Sequence, residues 1–206
     1  MVTGLLCKLH KNGSIWVYSE LAPLSDKWRM LDNNPKTTAI AANEWGELYQ
    51  LRNDGTIWKL TATPAIGWQM LDNNLTNTII AGAIIPSISA EGLYQLRKDG
   101  TILAFTGIPM TGWLMLDSNP ATIALAAGKK FYQLHNNGKI WEFTGTPMTG
   151  WQMLDNNPAT VAIATNELGE LYQLHNDGKI WEFTGTPMTG WQMLDSNPKT
   201  KAIITS

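Results

Sequence analysis

"YQLHNDGKIWEFTGTPMTGWQMLDSNPKTKAIIT", residues 172–205, differs at only five of thirty-four positions from residues 132–165, "YQLHNNGKIWEFTGTPMTGWQMLDNNPATVAIAT". Looser copies extend outward from this pair. The tryptophan of the "GWQMLD" segment recurs as Trp28, Trp68, Trp113, Trp151 and Trp191. A turn glycine recurs as Gly13, Gly55, Gly100, Gly138 and Gly178. Spacings of 38 to 45 residues divide the chain into five units, approximately 5–46, 47–91, 92–129, 130–169 and 170–206, within one domain spanning 1–206. Units of about 40–45 residues carrying Trp and turn signals have the size of a β-propeller blade.

One unit reads as four strands. "ELYQLH" and "KIWEF" are short alternating runs separated by "NDG", a connection suited to a type I turn closed by a left-handed glycine. "TGTPMTG" is a Pro/Gly loop, "WQML" a third strand and "DNNPAT" a second turn-rich link. "VAIAT" and "KAIIT" are small and apolar, as the crowded inner strand of a blade requires. Gly or Pro interrupts almost every ten residues, which excludes helices. The fold expected is therefore all-β: a five-bladed β-propeller of four-stranded antiparallel blades. Its ring would be closed by the C-terminal strand, Lys201 to Thr205, pairing with the N-terminal blade beside Leu5 to His10. Closure of that kind removes exposed sheet edges. An open β-solenoid is the structural competitor.

Composition narrows the function classes. A net charge of −2 without a basic run gives no electrostatic reason to bind nucleic acid. No apolar run approaches the ~20 residues that span a bilayer, so membrane insertion is not expected. The N-terminal "MVTGLLCKLHKNG" lacks the apolar core of a secretory leader, and a cytoplasmic or non-classically secreted protein is expected. The single Cys7 excludes an internal disulfide. Neither cofactor nor metal is expected, and a monomer is favoured over an oligomer.

Polar positions shared by all five units carry the functional reading. Asp32, Asp72, Asp117, Asp155 and Asp195 open the "DNNPAT" link, and Asn34, Asn74, Asn119, Asn157 and Asn197 follow two residues later. Asx turn chemistry explains these positions as well as ligand binding does. His10, Arg52, Arg97, His135 and His175 end the second strand. Neither His nor Arg is a turn former, and both donate hydrogen bonds from a planar group. Arg cannot replace His as a metal ligand, nor as a general base. Hairpin pairing puts Gln173, His175, Lys179 and Trp181 on one side of the sheet, near a solvent-facing turn, with Tyr172, Leu174 and Ile180 on the other. An indole beside donors and acceptors suits a sugar, with an aromatic plane for its C–H face and polar groups for its hydroxyls. The same set recurs around Trp16, Trp58 and Trp141, whereas Leu103 takes this place in the third unit. Tyr49, Tyr94, Tyr132 and Tyr172 are matched by Cys7 in the first.

Across all five units, "LYQLHNDGKIWEFTG…GWQMLDNNPATVAIA" resembles the tachylectin and tectonin-type β-propeller lectins, including mushroom lectins that bind N-acetylglucosamine. The resemblance implies one sugar pocket per blade or blade junction, selective for the acetamido group. It places the Tyr, His or Arg, inner Trp, Asp and Asn series in those pockets. The function expected is a multivalent lectin for glycans bearing terminal GlcNAc, without catalysis. A protein-interaction propeller and a carbohydrate-targeting module of a secreted hydrolase are the alternatives. Hydrolysis itself needs two carboxylates flanking one bond, whereas Glu142 and Glu182 occur in only two units.

Overall fold

A computed structural model describes all residues except 1–5, 19–22, 24–26, 44, 62–66, 84–89, 167 and 204–206. The described residues form nineteen β-strands in five antiparallel sheets, as the alternating runs and turn signals require. Sheet 1 contains β1 (Cys7–Leu9), β2 (Ile15–Tyr18) and β3 (Trp28–Asp32). Sheet 2 contains β4 (Thr37–Ala42), β5 (Leu48–Arg52), β6 (Ile57–Thr61) and β7 (Gly67–Asp72). Sheet 3 contains β8 (Asn77–Gly82), β9 (Leu93–Arg97), β10 (Thr101–Phe105) and β11 (Trp113–Ser118). Sheet 4 contains β12 (Thr122–Ala127), β13 (Phe131–His135), β14 (Ile140–Phe143) and β15 (Trp151–Asp155). Sheet 5 contains β16 (Thr160–Thr165), β17 (Leu171–His175), β18 (Lys179–Phe183) and β19 (Trp191–Ser196).

Strands neighbour one another in chain order, so each four-stranded sheet runs from the small apolar strand outward to the "WQML" strand. The sequence units and the sheets are offset by one strand: β4 lies at the end of the first unit yet opens sheet 2. Among the described residues sheet 1 has three strands rather than the four expected. Of the expected closing segment, Lys201, Ala202 and Ile203 belong to no strand. Its remainder, Ile204 and Thr205, and Leu5 beside it lie outside the described residues.

A bulge repeats in every sheet where its last two strands pair. In sheet 4, Ile140 pairs with Asp155 and Trp141 with Met153, leaving Leu154 as the extra residue. Strict alternation would send Leu154 and Asp155 to opposite faces; the bulge turns both toward the next sheet. Leu154 is thereby packed in a cluster with Tyr132, Leu134, Ile140 and, from sheet 5, Leu171. The bulged carbonyl accepts a hydrogen bond from the following sheet's loop: Met188 N–H donates to Leu154 O at 2.7 Å. Met148 and Met110 do the same to Leu116 and Leu71, also at 2.7 Å. All three methionines hold a left-handed backbone (φ 67 to 70°) to make this contact, a conformation that costs a non-glycine residue about 1–2 kcal/mol.

Candidate functional site at the sheet junctions

The hairpin register brings the expected groups together. Gln173 pairs with Trp181 and Gln133 with Trp141. His175 lies against Trp181 with ring centroids 5.7 Å apart, and His135 against Trp141 at 5.8 Å. In sheet 2, Arg52 stacks its guanidinium on Trp58 at 4.0 Å. In sheet 1, His10 stacks on Trp16 at 5.7 Å. Each such pair in sheets 2, 4 and 5 faces the link that leaves the previous sheet. His175 Nε2 lies 3.5 Å from Asn157 Nδ2.

The sequence-expected set is not gathered whole. Tyr49, Tyr94 and Tyr132 lie on the opposite side of their sheets, buried in the apolar clusters toward the next sheet. Tyr132 donates its hydroxyl to Gly169 O at 3.0 Å, and Tyr172 donates to Glu170 at 3.2 Å. The asparagines serve turns. Asn34, Asn74, Asn119, Asn157 and Asn197 each accept, through Oδ1, the backbone N–H two residues on, at 2.9–3.0 Å. His135 and His175 are buried rather than solvent-facing, only 4% and 6% exposed. His10, by contrast, is exposed.

A second polar series runs through the same junctions, with hydrogen bonds between sheets that the hairpin pairing alone does not report. Gln173 Nε2 donates to Asp155 Oδ2 at 3.0 Å, while Thr160 Oγ1 donates to Gln173 Oε1 at 2.5 Å. Gln133 repeats this with Asp117 (2.8 Å) and Thr122 (2.6 Å). The signal was the glutamine recurring in every "YQL" of the last four units, at positions a strand would bury. In sheet 3 the network is rewired. Asn77 replaces the threonine and donates to Asp72 Oδ2 at 2.9 Å, with Arg97 Nη2 3.7 Å from the same oxygen. Gln95 is then buried with neither amide atom paired, and Leu103 fills the Trp position.

The indole N–H divides the junctions again. Trp16 donates to Ser14 (3.1 Å) and Trp58 to Thr56 (2.8 Å), hydroxyls two residues back. Lys139 and Lys179 replace those hydroxyl residues in sheets 4 and 5. The buried Nε1 of Trp141 and of Trp181 accordingly has no partner. At the other end of the junction between sheets 2 and 3 lies a cavity of about 130 Å³. Lys59, Gln69, Glu91, Phe105 and Pro109 are among its lining residues. Sequence periodicity gave no sign of this cavity.

Burial pushes His135 and His175 below the usual histidine range, outweighing the pull of Asp117 on the first and of Asp177 and Asp155 on the second. Above about pH 6.5 both imidazoles are neutral whether the chain is folded or not, and stability is full. As pH falls through that value toward the depressed folded values, the unfolded chain takes up protons first and stability is lost. The melting temperature should therefore drop between about pH 7 and about pH 5. A His135→Gln/His175→Gln variant should show a flatter profile over that range. Parallel profiles would mean that the two imidazoles do not govern it.

Three solved structures share the architecture. Human WBSCR16 matches with a TM-score of 0.68 at 8% identity, over 98% of this chain and 67% of that one. A chain of the nidogen/laminin complex matches at 0.66 and 11% identity, over 98% and 81%. The Dos1 propeller matches at 0.63 and 11% identity, over 94% and 56%. The fold is a β-propeller. No family model matches the chain, and no curated protein does. Likeness at this level of identity fixes the propeller architecture and leaves function to be argued from the junctions.

Proposed function

We propose that this propeller is a multivalent glycan-binding protein, recognising terminal N-acetylglucosamine-type sugars at its sheet junctions without catalysis. One observation carries the reading: the same aromatic and polar group recurs in successive junctions. Trp141 and Trp181 are half-buried rings, each against a histidine and beside a buried Asp–Gln–Thr network. A rigid polar network next to an indole plane is preorganised for directional hydroxyl and amide recognition.

The test is calorimetry with GlcNAc, glucose and a clustered GlcNAc ligand. GlcNAc should bind in roughly the millimolar to high micromolar range, and the clustered ligand far more tightly through effective concentration. Glucose should lose most of the affinity, because groups that meet the acetamido remain unpaired. Trp141→Ala and Trp181→Ala, checked for folding by circular dichroism, should each remove one equivalent of sites. Unchanged stoichiometry in both, with loss on Lys59→Met, would move the pocket to the cavity at the other end. Equal binding of GlcNAc and glucose would sink the N-acetyl assignment.

A protein-interaction propeller is the second reading. Support for it comes from the nidogen/laminin complex, in which the similar fold is part of a protein assembly. A glycan array without hits would favour this reading.

A further inference from the structure

The five hairpin turns share one geometry but not one chemistry. Asp54, Asp99 and Asp177 precede the turn glycine in sheets 2, 3 and 5, whereas Asn12 and Asn137 precede it in sheets 1 and 4. Each of these side chains accepts, through Oδ1, the backbone N–H two residues on, at 3.0–3.2 Å. Amide and carboxylate therefore occupy the same place in this turn. Asn-Gly is also the pair in which an asparagine side chain is most open to its neighbour's nitrogen, since glycine places no Cβ in the path.

We propose that Asn137 is a deamidation site, at which the chain converts its own side-chain amide to a carboxylate. Gly138 N loses its proton to solvent base and bonds to Asn137 Cγ. The Cγ–Nδ2 bond then breaks, ammonia leaves, and a cyclic imide remains. Water opens the imide, so the net change is amide plus water to acid plus ammonia. Asn137 is exposed, and to turn toward Gly138 N it gives up one hydrogen bond, from Lys139 N–H at 3.2 Å. Asn12 gives up two, from Ser14 N–H at 3.1 Å and the Ser14 hydroxyl at 2.8 Å. The glycine N–H is held alike in both turns, by His135 O at 3.0 Å and by His10 O at 2.9 Å. One extra hydrogen bond should slow Asn12 by about 2–10-fold relative to Asn137.

The aspartate so formed already has its pattern in sheet 5. Asp177 keeps the bond from Lys179 N–H and adds an ion pair with Lys179 Nζ at 2.6 Å. Lys139 stands in the same place beside Asn137. Burial holds His175 below the usual histidine range and Asp177 pulls it back up, whereas the turn after His135 contains no carboxylate. Deamidation thus gives the fourth sheet's turn the charge of the fifth's. Opening the imide at its other carbonyl yields isoaspartate, whose backbone is longer by a methylene group. That product disturbs Gly138, which is pressed against Asn157 O and Pro158 Cα.

Ageing the intact folded protein at mildly alkaline pH, followed by peptide mapping with mass spectrometry, tests this. Asn137 should become acidic first and Asn12 about 2–10-fold more slowly. Asparagines not followed by glycine should remain amides. On isoelectric focusing the early product should shift by one negative charge and migrate with Asn137→Asp, and Asn137→Gln should remove it. Asn137→Asp should melt no lower than the wild type, since the sheet 5 turn carries the same residue. If Asn137 stays an amide in the folded chain while it converts in urea, the turn protects it and the proposal fails. Conversion of Asn12 ahead of Asn137 would overturn it too.

Discussion

Gly138→Ala is expected to lower the melting temperature by about 10 °C, the equivalent of about 3–4 kcal/mol in a chain of this length. Gly138 has φ +81°, and a Cβ there would sit 2.0 Å from Asn157 O and 2.8 Å from Pro158 Cα. Both are backbone atoms of the link leaving sheet 4. That link cannot retreat, because Asn157 Oδ1 holds Ala159 N–H, and Ala159 O accepts from Asn176 N–H of sheet 5 at 2.8 Å. Gly46→Ala supplies the control. Its φ is +76°, but nothing lies within 4 Å of the added carbon, so only the left-handed backbone term of about 1–2 kcal/mol applies. Thermal melts of the two variants side by side isolate the clash. Equal losses would mean that the link is not pressed against the hairpin.

Two glutamine-to-leucine changes should act in opposite directions, although both side chains are buried at no more than 1% exposure. Gln173→Leu removes the donor to Asp155, itself 6% exposed, and the acceptor for Thr160. A buried charged group that loses a hydrogen-bond donor costs about 1–3 kcal/mol. Gln95→Leu removes an amide that pairs with nothing, so the same substitution should be neutral or stabilising by about 1 kcal/mol. Urea denaturation of both variants measures the difference. Destabilisation by Gln95→Leu as large as by Gln173→Leu would show that its amide is satisfied after all.

Much of this architecture is legible in the sequence because local chemistry fixes it. Asn-Asp-Gly between alternating runs sets the hairpin register, and the Gln173–Trp181 pairing follows from that alone. The bulge at Leu154 could not be read, since it inserts one residue without leaving a Gly or Pro behind. Yet the bulge decides that Asp155 faces the next sheet and joins Gln173. The asparagines were ambiguous because Asx turns and ligand sites draw on the same side chain, and the turns took Oδ1 in all five units. Burial of His175 depends on the neighbouring sheet, which no spacing within one unit reports. Leu154 and Leu194 show the limit most plainly: the same residue in the same local sequence is buried in one sheet and half-exposed in the other.

The one-strand offset means that a unit cut at the bounds used here, 170–206 for example, is not the segment that forms one sheet. A unit excised alone would leave its second strand without the inner partner that the preceding unit supplies, as β17 would be without β16. A unit inserted in tandem has no such deficit: it receives its inner strand from the copy before it and lends its own to the copy after. Lengthening the chain by whole units therefore requires no new pairing surface, and each added sheet arrives already stitched to its predecessor by the covalent backbone. A repeat cut at those bounds cannot form its sheet alone, whereas one inserted in tandem can.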